Sequence, residues 1–344
     1  MENIKPKNQE LFGGRRVRSY FWPLLLIGLG VVWLLNNFGI LTGANIVALL
    51  QLWPLLLIVG GFELLFGRTQ PQLARALGIG TLAFALAFMF VGPVFGVGRI
   101  EVKTEQFTEP LGATSTANIR LSPGVAKTTI TAASSDSSNL LDANVTHIDT
   151  VTLSRNGDKD KEITLQQESP RTWNWGFVSQ NFADAKLRWD VMLNPKVPIN
   201  LTVDNGVGES NLDLSKLNLT GADITAGVGQ VTVNLPASAT GYNASIDAGV
   251  GAIKATLPAE SSINLKVSGG TGNVDITVPE GAAVQVLVDS GLGRANFANN
   301  LNFAHTVNRG NDKNGTYETP NFASASHKIV IDYHGGVGNF SIHN

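Results

Sequence analysis

From about residue 199 the chain alternates apolar and polar residues with period two, and it repeats the pattern at a fixed interval. After successive Gly-x-Gly pairs, the positions two, four and six further on are apolar: Val231, Val233 and Leu235, then Ile253, Ala255 and Leu257, then Val274, Ile276 and Val278. Thr232, Lys254 and Asp275 fall between them and should face outward. The residues before the pairs alternate as well, as Ile263, Leu265, Val267 and as Val284, Val286, Val288. Such alternation predicts strands with one buried face.

The pairs are Gly206 and Gly208, Gly227 and Gly229, Gly249 and Gly251, Gly270 and Gly272, and Gly291 and Gly293, spaced 21, 22, 21 and 21 residues apart. Gly336 and Gly338 follow after a step of 45, which reads as two repeats with a small insertion around Asn311 to Gly315. A fixed period of this length predicts a solenoid. Each ~21-residue rung should hold at least two strands joined by a tight corner, where glycine tolerates a positive φ. The middle residues Val207, Val228, Val250, Thr271, Leu292 and Val337 are expected to stack inside the corners. Pro236, Pro258 and Pro279 close three strands at equivalent places, which suits strand ends but not central ladders. About seven rungs at ~4.8 Å make a column of roughly 34 Å. Its ends need caps, because each rung stabilises only its neighbours. Lys254 and Asp275, at one outward position on successive rungs, are placed to pair, an interaction worth under ~1 kcal/mol when exposed.

Residues 106–198 are less regular. Ile119 to Ile130 read as a rung with a poorer corner at Pro123-Gly124-Val125, Arg155 to Glu162 as a loop, and Leu187 to Leu193 as a strand. Trp173, Trp175, Phe177 and Phe182 crowd an otherwise polar stretch. They either plug the end of the column or form an exposed aromatic loop that meets peptide, glycan or membrane.

The first hundred residues have another character. Three nearly charge-free apolar runs, about 21–41, 46–66 and 73–97, each approach the ~20 residues a helix needs to cross a bilayer. Trp22-Pro23-Leu24-Leu25-Leu26-Ile27 opens the first, and Trp53-Pro54-Leu55-Leu56-Leu57-Ile58 repeats the phrase in the second. Proline early in a helix is harmless, so helices should begin near both pairs, the first turn of the second being irregular. A signal peptide would have a shorter apolar core and a cleavage site. Residues 1–20 carry Lys5, Lys7, Arg15, Arg16 and Arg18, and Arg68 and Arg75 follow the second run, whereas Thr42 to Asn45 carry no charge. The positive-inside bias then places the tail in the cytoplasm and, after three crossings, residues 105–344 outside, against the weaker opposing signal of Arg99 and Lys103. Glu63, Asn36 and Asn37 are the polar candidates within these spans. Gly28, Gly30, Gly60 and Gly61 would let helices approach closely, within the hairpin of the first two or against a partner.

Composition narrows the chemistry. The 344 residues carry a formal charge of −2 and no cysteine, which removes disulfides, zinc thiolates, a thiol nucleophile and the electrostatic case for nucleic acid. The Gly-x-Gly pairs run from strand to strand, unlike a dinucleotide loop, which opens a helix. Gly269-Gly270-Thr271-Gly272 lacks the Asp and the nine-residue period of a calcium β-roll. Asp204, Asp247 and Asp289 sit two residues before their corners, with Thr225 and Ser268 between, as a solvated edge or a weak cation ladder. His327, His334 and His343 fall in the last rungs with nothing to show a shared face. No convergent carboxylate pair or Ser-His-Asp arrangement stands out, so neither an enzyme nor a cofactor is expected.

Two resemblances rest on these residues. The doubled Trp-Pro-Leu-Leu-Leu-Ile-x-x-Gly with its Asn36-to-Ile40 turn resembles the LiaI/LiaF-like transmembrane region, over about residues 20–67. The run Trp189 to Pro198, leading into Leu201, the Gly206-Val207-Gly208-Glu209-Ser210 corner and Leu212-Asp213-Leu214, resembles the toast-rack domain and the C-terminal domain of LiaF-type, cell-wall-active-antibiotic-response proteins, over about 105–344. The fold expected is thus a membrane-anchored all-β protein: three transmembrane helices followed by a single-stranded β-helix, most regular from residue 199. The resemblance implies a non-enzymatic accessory or sensor protein of the bacterial cell envelope. It would modulate an envelope-stress response through contacts of its helices with a membrane histidine kinase or another envelope protein. The alternative is an adhesin-like surface scaffold without a signalling role, and either is compatible with a homo-oligomer.

Overall fold

A computed structural model of the chain describes residues 21–41, 43–66, 71–95, 97, 102–148, 150–168, 186–238, 240–298, 301–307 and 314–344. They form two compact units, one helical and one of strands.

The helical unit holds α1 (Phe21–Asn37), α2 (Gly43–Gln51), α3 (Trp53–Phe66) and α4 (Pro71–Val91), the last followed by a 3-10 turn at Gly92–Phe95. Pro23 lies in the first turn of α1, where a missing N–H is of no consequence. Pro54 acts differently. Lacking an N–H for the turn before it, it divides the second apolar run between α2 and α3 instead of letting one helix span 46–66. Around the break the bonds tighten to three-residue spacing, Leu52 N to Leu49 O (3.0 Å) and Leu55 N to Leu52 O (2.9 Å). Gly39, at φ +69°, turns the chain after α1, and its N–H donates to Asn36 O at 3.0 Å. Among the described residues, one stretch, Ala76–Phe95, is long and apolar enough to cross a bilayer, and the apolar Leu25–Asn37 is shorter. Of the four small residues, Gly28 makes the close approach, and to α4: a Cβ there would lie 2.8 Å from Leu82 Cδ1. Gly30, Gly60 and Gly61 meet nothing within 4 Å among the described residues.

The second unit begins with β1 (Lys103–Pro110), β2 (Thr116–Ser122), β3 (Lys127–Ala132), β4 (Asn139–His147), β5 (Val151–Asn156), β6 (Asp160–Gln167) and β7 (Arg188–Leu193). It continues through β8 (Pro198–Val207), β9 (Ser210–Asp213), β10 (Asn218–Val228), β11 (Val231–Asn234), β12 (Tyr242–Val250), β13 (Ile253–Thr256), β14 (Ile263–Thr271) and β15 (Val274–Thr277). It closes with β16 (Val284–Leu292), β17 (Ala295–Phe297), β18 (Ala304–Val307), β19 (Gly315–Glu318), β20 (Ile329–Val337) and β21 (Phe340–His343). These strands build two sheets. Sheet one runs β1-β4-β7-β3-β9-β11-β13-β15-β21-β17, and sheet two runs β18-β19-β16-β20-β14-β12-β10-β8-β2-β6-β5. Each Gly-x-Gly corner carries the chain from sheet two into sheet one, so β8 with β9, and β10 with β11, make successive layers. Period-two alternation turns Ile199, Leu201 and Val203 inward, as it does Leu212, Val231 and Val233, and these side chains are buried.

Parallel pairing sets Val207 opposite Val228, Val228 opposite Val250, and Val250 opposite Thr271. The expectation that these middle residues stack inside the corners is overturned. Val207, Val228, Val250 and Val337 are each about half exposed (46 to 51%) and Leu292 is 73% exposed. The corner is convex, so its apex side chain has no interior to enter. The flanking glycines, not the apex, occupy the crowded positions. A Cβ on Gly227 would overlap the Gly206 carbonyl oxygen, and one on Gly229, at φ +144°, would overlap that of Gly208. Backbone bonds join the corners directly, Gly208 N to Val228 O and Gly229 N to Val250 O, each at 2.9 Å.

Layer order departs from chain order at both ends. The 45-residue step does not stack the last corner beyond the one before it. Instead β20 pairs with β14 on one side and β16 on the other, and β21 lies between β15 and β17. The outer edge of β16 is taken by antiparallel β19, with Gln285 opposite Glu318, so the returning chain fills the inner slot. There the Tyr333 ring stacks on Phe340, centroids 4.1 Å apart, and Phe340 meets Phe297 edge-on at 6.1 Å. At the other end β2 lies between β6 and β8, and β3 between β7 and β9. The poorer corner here does join the ladder, through a parallel bridge between Val125 and Val207. The expected loop from Arg155 to Glu162 is instead a hairpin: β5 and β6 pair antiparallel up to Asn156 opposite Glu162, turning at Gly157 (φ +76°).

Antiparallel strands finish the ladders, with β1 on β4 and β4 on β7 in sheet one, and β5 on β6 in sheet two. An ion group around the buried Glu109 carboxylate ties these edges together. Glu109 of β1, 3% exposed, meets Lys161 Nζ of β6 at 2.5 Å and Arg155 Nη1 of β5 at 3.2 Å. Further along, the Tyr242 hydroxyl donates to Pro236 O at 2.9 Å, and burial pushes this phenol well above its ordinary value of 10.0.

Gly229→Ala is expected to cost about 1–3 kcal/mol in denaturant unfolding, since a side chain must share space with a carbonyl at a strained φ, whereas Val228→Ser at the exposed apex should stay within about 0.5 kcal/mol. Glu109→Ala should cost about 1–3 kcal/mol by leaving the largely covered Lys161 ammonium without its partner, and Glu109→Ala with Lys161→Met should recover most of the loss. Because the folded pKa of Tyr242 is raised, its contribution is complete below pH 10 and is lost as pH rises above it. Melting temperatures measured from pH 8 to 11 should therefore fall less steeply above pH 10 in Tyr242→Phe.

Candidate functional site

In-register parallel pairing stacks residues of like phase into rows that cross the strands. On the outer face of sheet two, one row reads Asn118, Asn200, Gly221, Asn243, Asn264, Val330 and Gln285. The next reads Arg120, Thr202, Asp223, Ser245, Lys266, Asp332 and Leu287, and a third Asp204, Thr225, Asp247, Ser268, His334 and Asp289.

The asparagine row is interrupted once. Register shifts between Leu219 and Gly221, so Thr220 is an extra residue and Gly221 takes the place of a side chain. A Cβ on Gly221 would lie 2.6 Å from Asn200 Oδ1. Around this gap lies a trough of about 660 Å³, lined among others by Asn200, Asp223, Asn243, Ser245, Asn264, Lys266 and Asp332. A second depression of about 500 Å³, with Asp289, Asn314 and His334, shares Leu287 and Asp332 with the first, so the two adjoin. Hydrogen bonds hold the side chains in place. Asn264 Nδ2 donates to Asn243 Oδ1 (3.0 Å), Ser245 Oγ to Asp223 Oδ1 (2.6 Å), and Asn314 Nδ2 to Asp289 Oδ1 (3.2 Å). His334 stands between carboxylates, 3.2 Å from Asp332 and 3.8 Å from Asp289, and pairs with them when protonated. At the far end Arg120 holds Asp204 at 2.6 Å. On the corner beside it, the Lys127 ammonium at 3.0 Å, helped by Asn211, holds the Glu209 carboxyl below the usual carboxylate range.

The residues singled out from sequence fare unequally. Trp173, Trp175, Phe177 and Phe182 lie outside the described residues. Glu63 falls within α3, but its side chain is likewise outside the description. Asn36 and Asn37 end α1 exposed, and among the described residues of that unit Asn45 is a buried polar side chain, its Nδ2 donating to Met89 O of α4 at 2.9 Å. Of the histidines, His334 enters the third row between Ser268 and Asp289, because β20 lies between β14 and β16, while His343 bonds Thr277 on the other sheet at 3.0 Å. Among the described residues no group of three or more His, Asp or Glu side chains is disposed to hold a metal ion. The trough itself was missed. Its signal is the run Leu219-Thr220-Gly221-Ala222, where the two inward residues stand three apart rather than two.

Residues 97–257 match the family model of the N-terminal domain of toast_rack (DUF2154), and residues 20–65 match that of the LiaI-LiaF-like transmembrane region. No curated protein matches the chain. Among solved structures, a candidate cell adhesion protein from Clostridium sporogenes is similar at 21% identity, over 71% of this chain and 99% of that one, with a TM-score of 0.48. A candidate adhesin from Bacteroides fragilis is similar at 12% identity, over 70% of this chain and 97% of that one, with a TM-score of 0.32.

Asn243→Ala, Asn264→Ala and Ser245→Ala each remove an outward side chain from a mid-sheet position without touching the core. Their unfolding free energies should lie within about 0.5 kcal/mol of the parent in denaturant titrations.

Proposed function

We propose that this chain, which joins a LiaI-LiaF-like transmembrane region to a toast-rack domain, is an accessory or sensor protein of the bacterial cell envelope that acts by contact and not by catalysis. The carrying observation is that pairing of the two regions in one chain. In this reading residues 1–20 lie in the cytoplasm, the helices between 21 and 98 cross the membrane three times, and residues 105–344 form a β-solenoid outside. The seven Lys and Arg of the tail and second connector support that orientation. The outer unit supplies a rigid surface, since its backbone is joined from layer to layer, and the helices supply the contact with a membrane histidine kinase. A stimulus at the outer face would thereby modulate an envelope-stress response.

Transcript profiling of a deletion strain, with and without a cell-wall antibiotic, tests this role. A changed envelope-stress regulon, restored by the full chain, is the expected result, and restoration by residues 1–100 alone would assign the kinase contact to the helices. An unchanged regulon would overturn the regulatory role and leave a surface scaffold. Orientation is tested separately, because the chain has no cysteine of its own. A membrane-impermeant maleimide on intact cells should label Asp158→Cys, in the exposed β5–β6 turn, and leave Lys7→Cys unlabelled.

A further inference from the structure

We propose that the trough on the outer face of sheet two binds an uncharged glycan chain. The proposal deepens the reading above, since it requires this face to lie outside the membrane.

The floor of the trough excludes one mode of recognition at once. Strands β10, β12, β14 and β20 are each paired on both sides, so their main-chain groups are already bonded and no peptide can add to them as a further strand. Selectivity must come from side chains. Asn200, Asn243 and Asn264 carry amide donors and carbonyl acceptors, of which the Asn264 to Asn243 bond uses one donor and one acceptor lone pair, and Asp223 and Ser245 lie in the adjoining row. Neighbouring sugar hydroxyls, each both donor and acceptor, are the complement to such mixed short groups.

Charge narrows the ligand further. Lys266 lies opposite Asp332 in the trough, Asp223 lines it two strands away beyond Ser245, and Asp289 adds another carboxylate in the adjoining depression. The balance is negative, so a phosphate- or carboxylate-bearing polymer is repelled. Apolar surface is present in small amounts: Leu287, 39% exposed, and Val330. These suit the C–H faces of pyranose rings. Finally, the rows repeat at the ~4.8 Å spacing of adjacent strands. A ladder of equivalent groups is matched by a ligand that itself repeats, lying across the strands.

The test uses the full-length protein in lipid nanodiscs, titrated calorimetrically with cellohexaose, with chitohexaose and with an extended (Ala-Glu-Ala-Lys)3 peptide. Binding of at least one hexasaccharide is expected. It should weaken at least about tenfold in Ser245→Trp, which fills the trough, and in Asn243→Ala with Asn264→Ala, which removes the amides. Thr232→Trp, on the outer face of sheet one, should bind as the parent does. Absence of binding to both sugars, equal loss in Thr232→Trp, unchanged affinity in the asparagine double variant, or binding of the peptide in place of the sugars would each overturn the proposal. A deletion strain with an altered regulon and a protein that ignores both sugars would overturn this inference while leaving the regulatory role standing.

Discussion

The β unit depends on one steric constraint, the contact of glycine with the carbonyl of the layer beneath it. At the corners the backbones of successive layers lie so close that no Cβ fits on either flanking glycine. That closeness allows the corner N–H groups to reach the carbonyl one layer away, as Gly251 N reaches Thr271 O at 2.8 Å and Gly272 N reaches Val337 O at 2.9 Å. Every other regularity follows from the spacing so fixed. The inward aliphatic rows meet face to face, and the outward rows fall into ladders. A corner that tolerated a side chain would hold its layers apart and loosen both.

The same constraint explains what was legible in the sequence. Period-two alternation identified the strands and their buried faces, from Ile199 through Ile342, because burial acts on every second residue directly. Glycine pairs identified the corners, because nothing else fits. The direction of the apex residues was not legible: Val207 and its equivalents are apolar for reasons that alternation cannot distinguish from burial. Layer order was not legible either. Neighbouring layers carry nearly interchangeable aliphatic rows, and what sets β20 and not β16 beside β14 lies elsewhere, in β19 covering the outer edge of β16 and in the contact of Phe340 with Phe297. The trough was hidden for a third reason. One inserted residue, Thr220, shifts the register locally and leaves a gap whose walls come from strands more than a hundred residues apart, Asn200 and Asp332 among them.

The helical unit shows the converse. Apolar composition marked the helices, yet Pro54 decided where the second run divides, and Gly28 is where α1 comes close to Leu82 of α4. Asn45 illustrates why polar residues in apolar runs are poor guides by type alone. It is buried because Met89 O offers an acceptor, whereas Asn36 and Asn37 end a helix and need none.

The inward placement of the layer formed by β20 and β21 bears on how the chain is made. Synthesis proceeds from the N-terminus, so β16 and β17 emerge while the slot between them and β14–β15 is still empty. Their adjacent edges must stay apart, or part again, until β20 and β21 arrive to occupy both ladders. Until then β14 and β15 present unpaired strand edges, the surfaces most prone to capture by another chain. Completion of this domain is thus a closing step and not an extension, and a ribosome stalled before residue 329 leaves a column with a gap near its end.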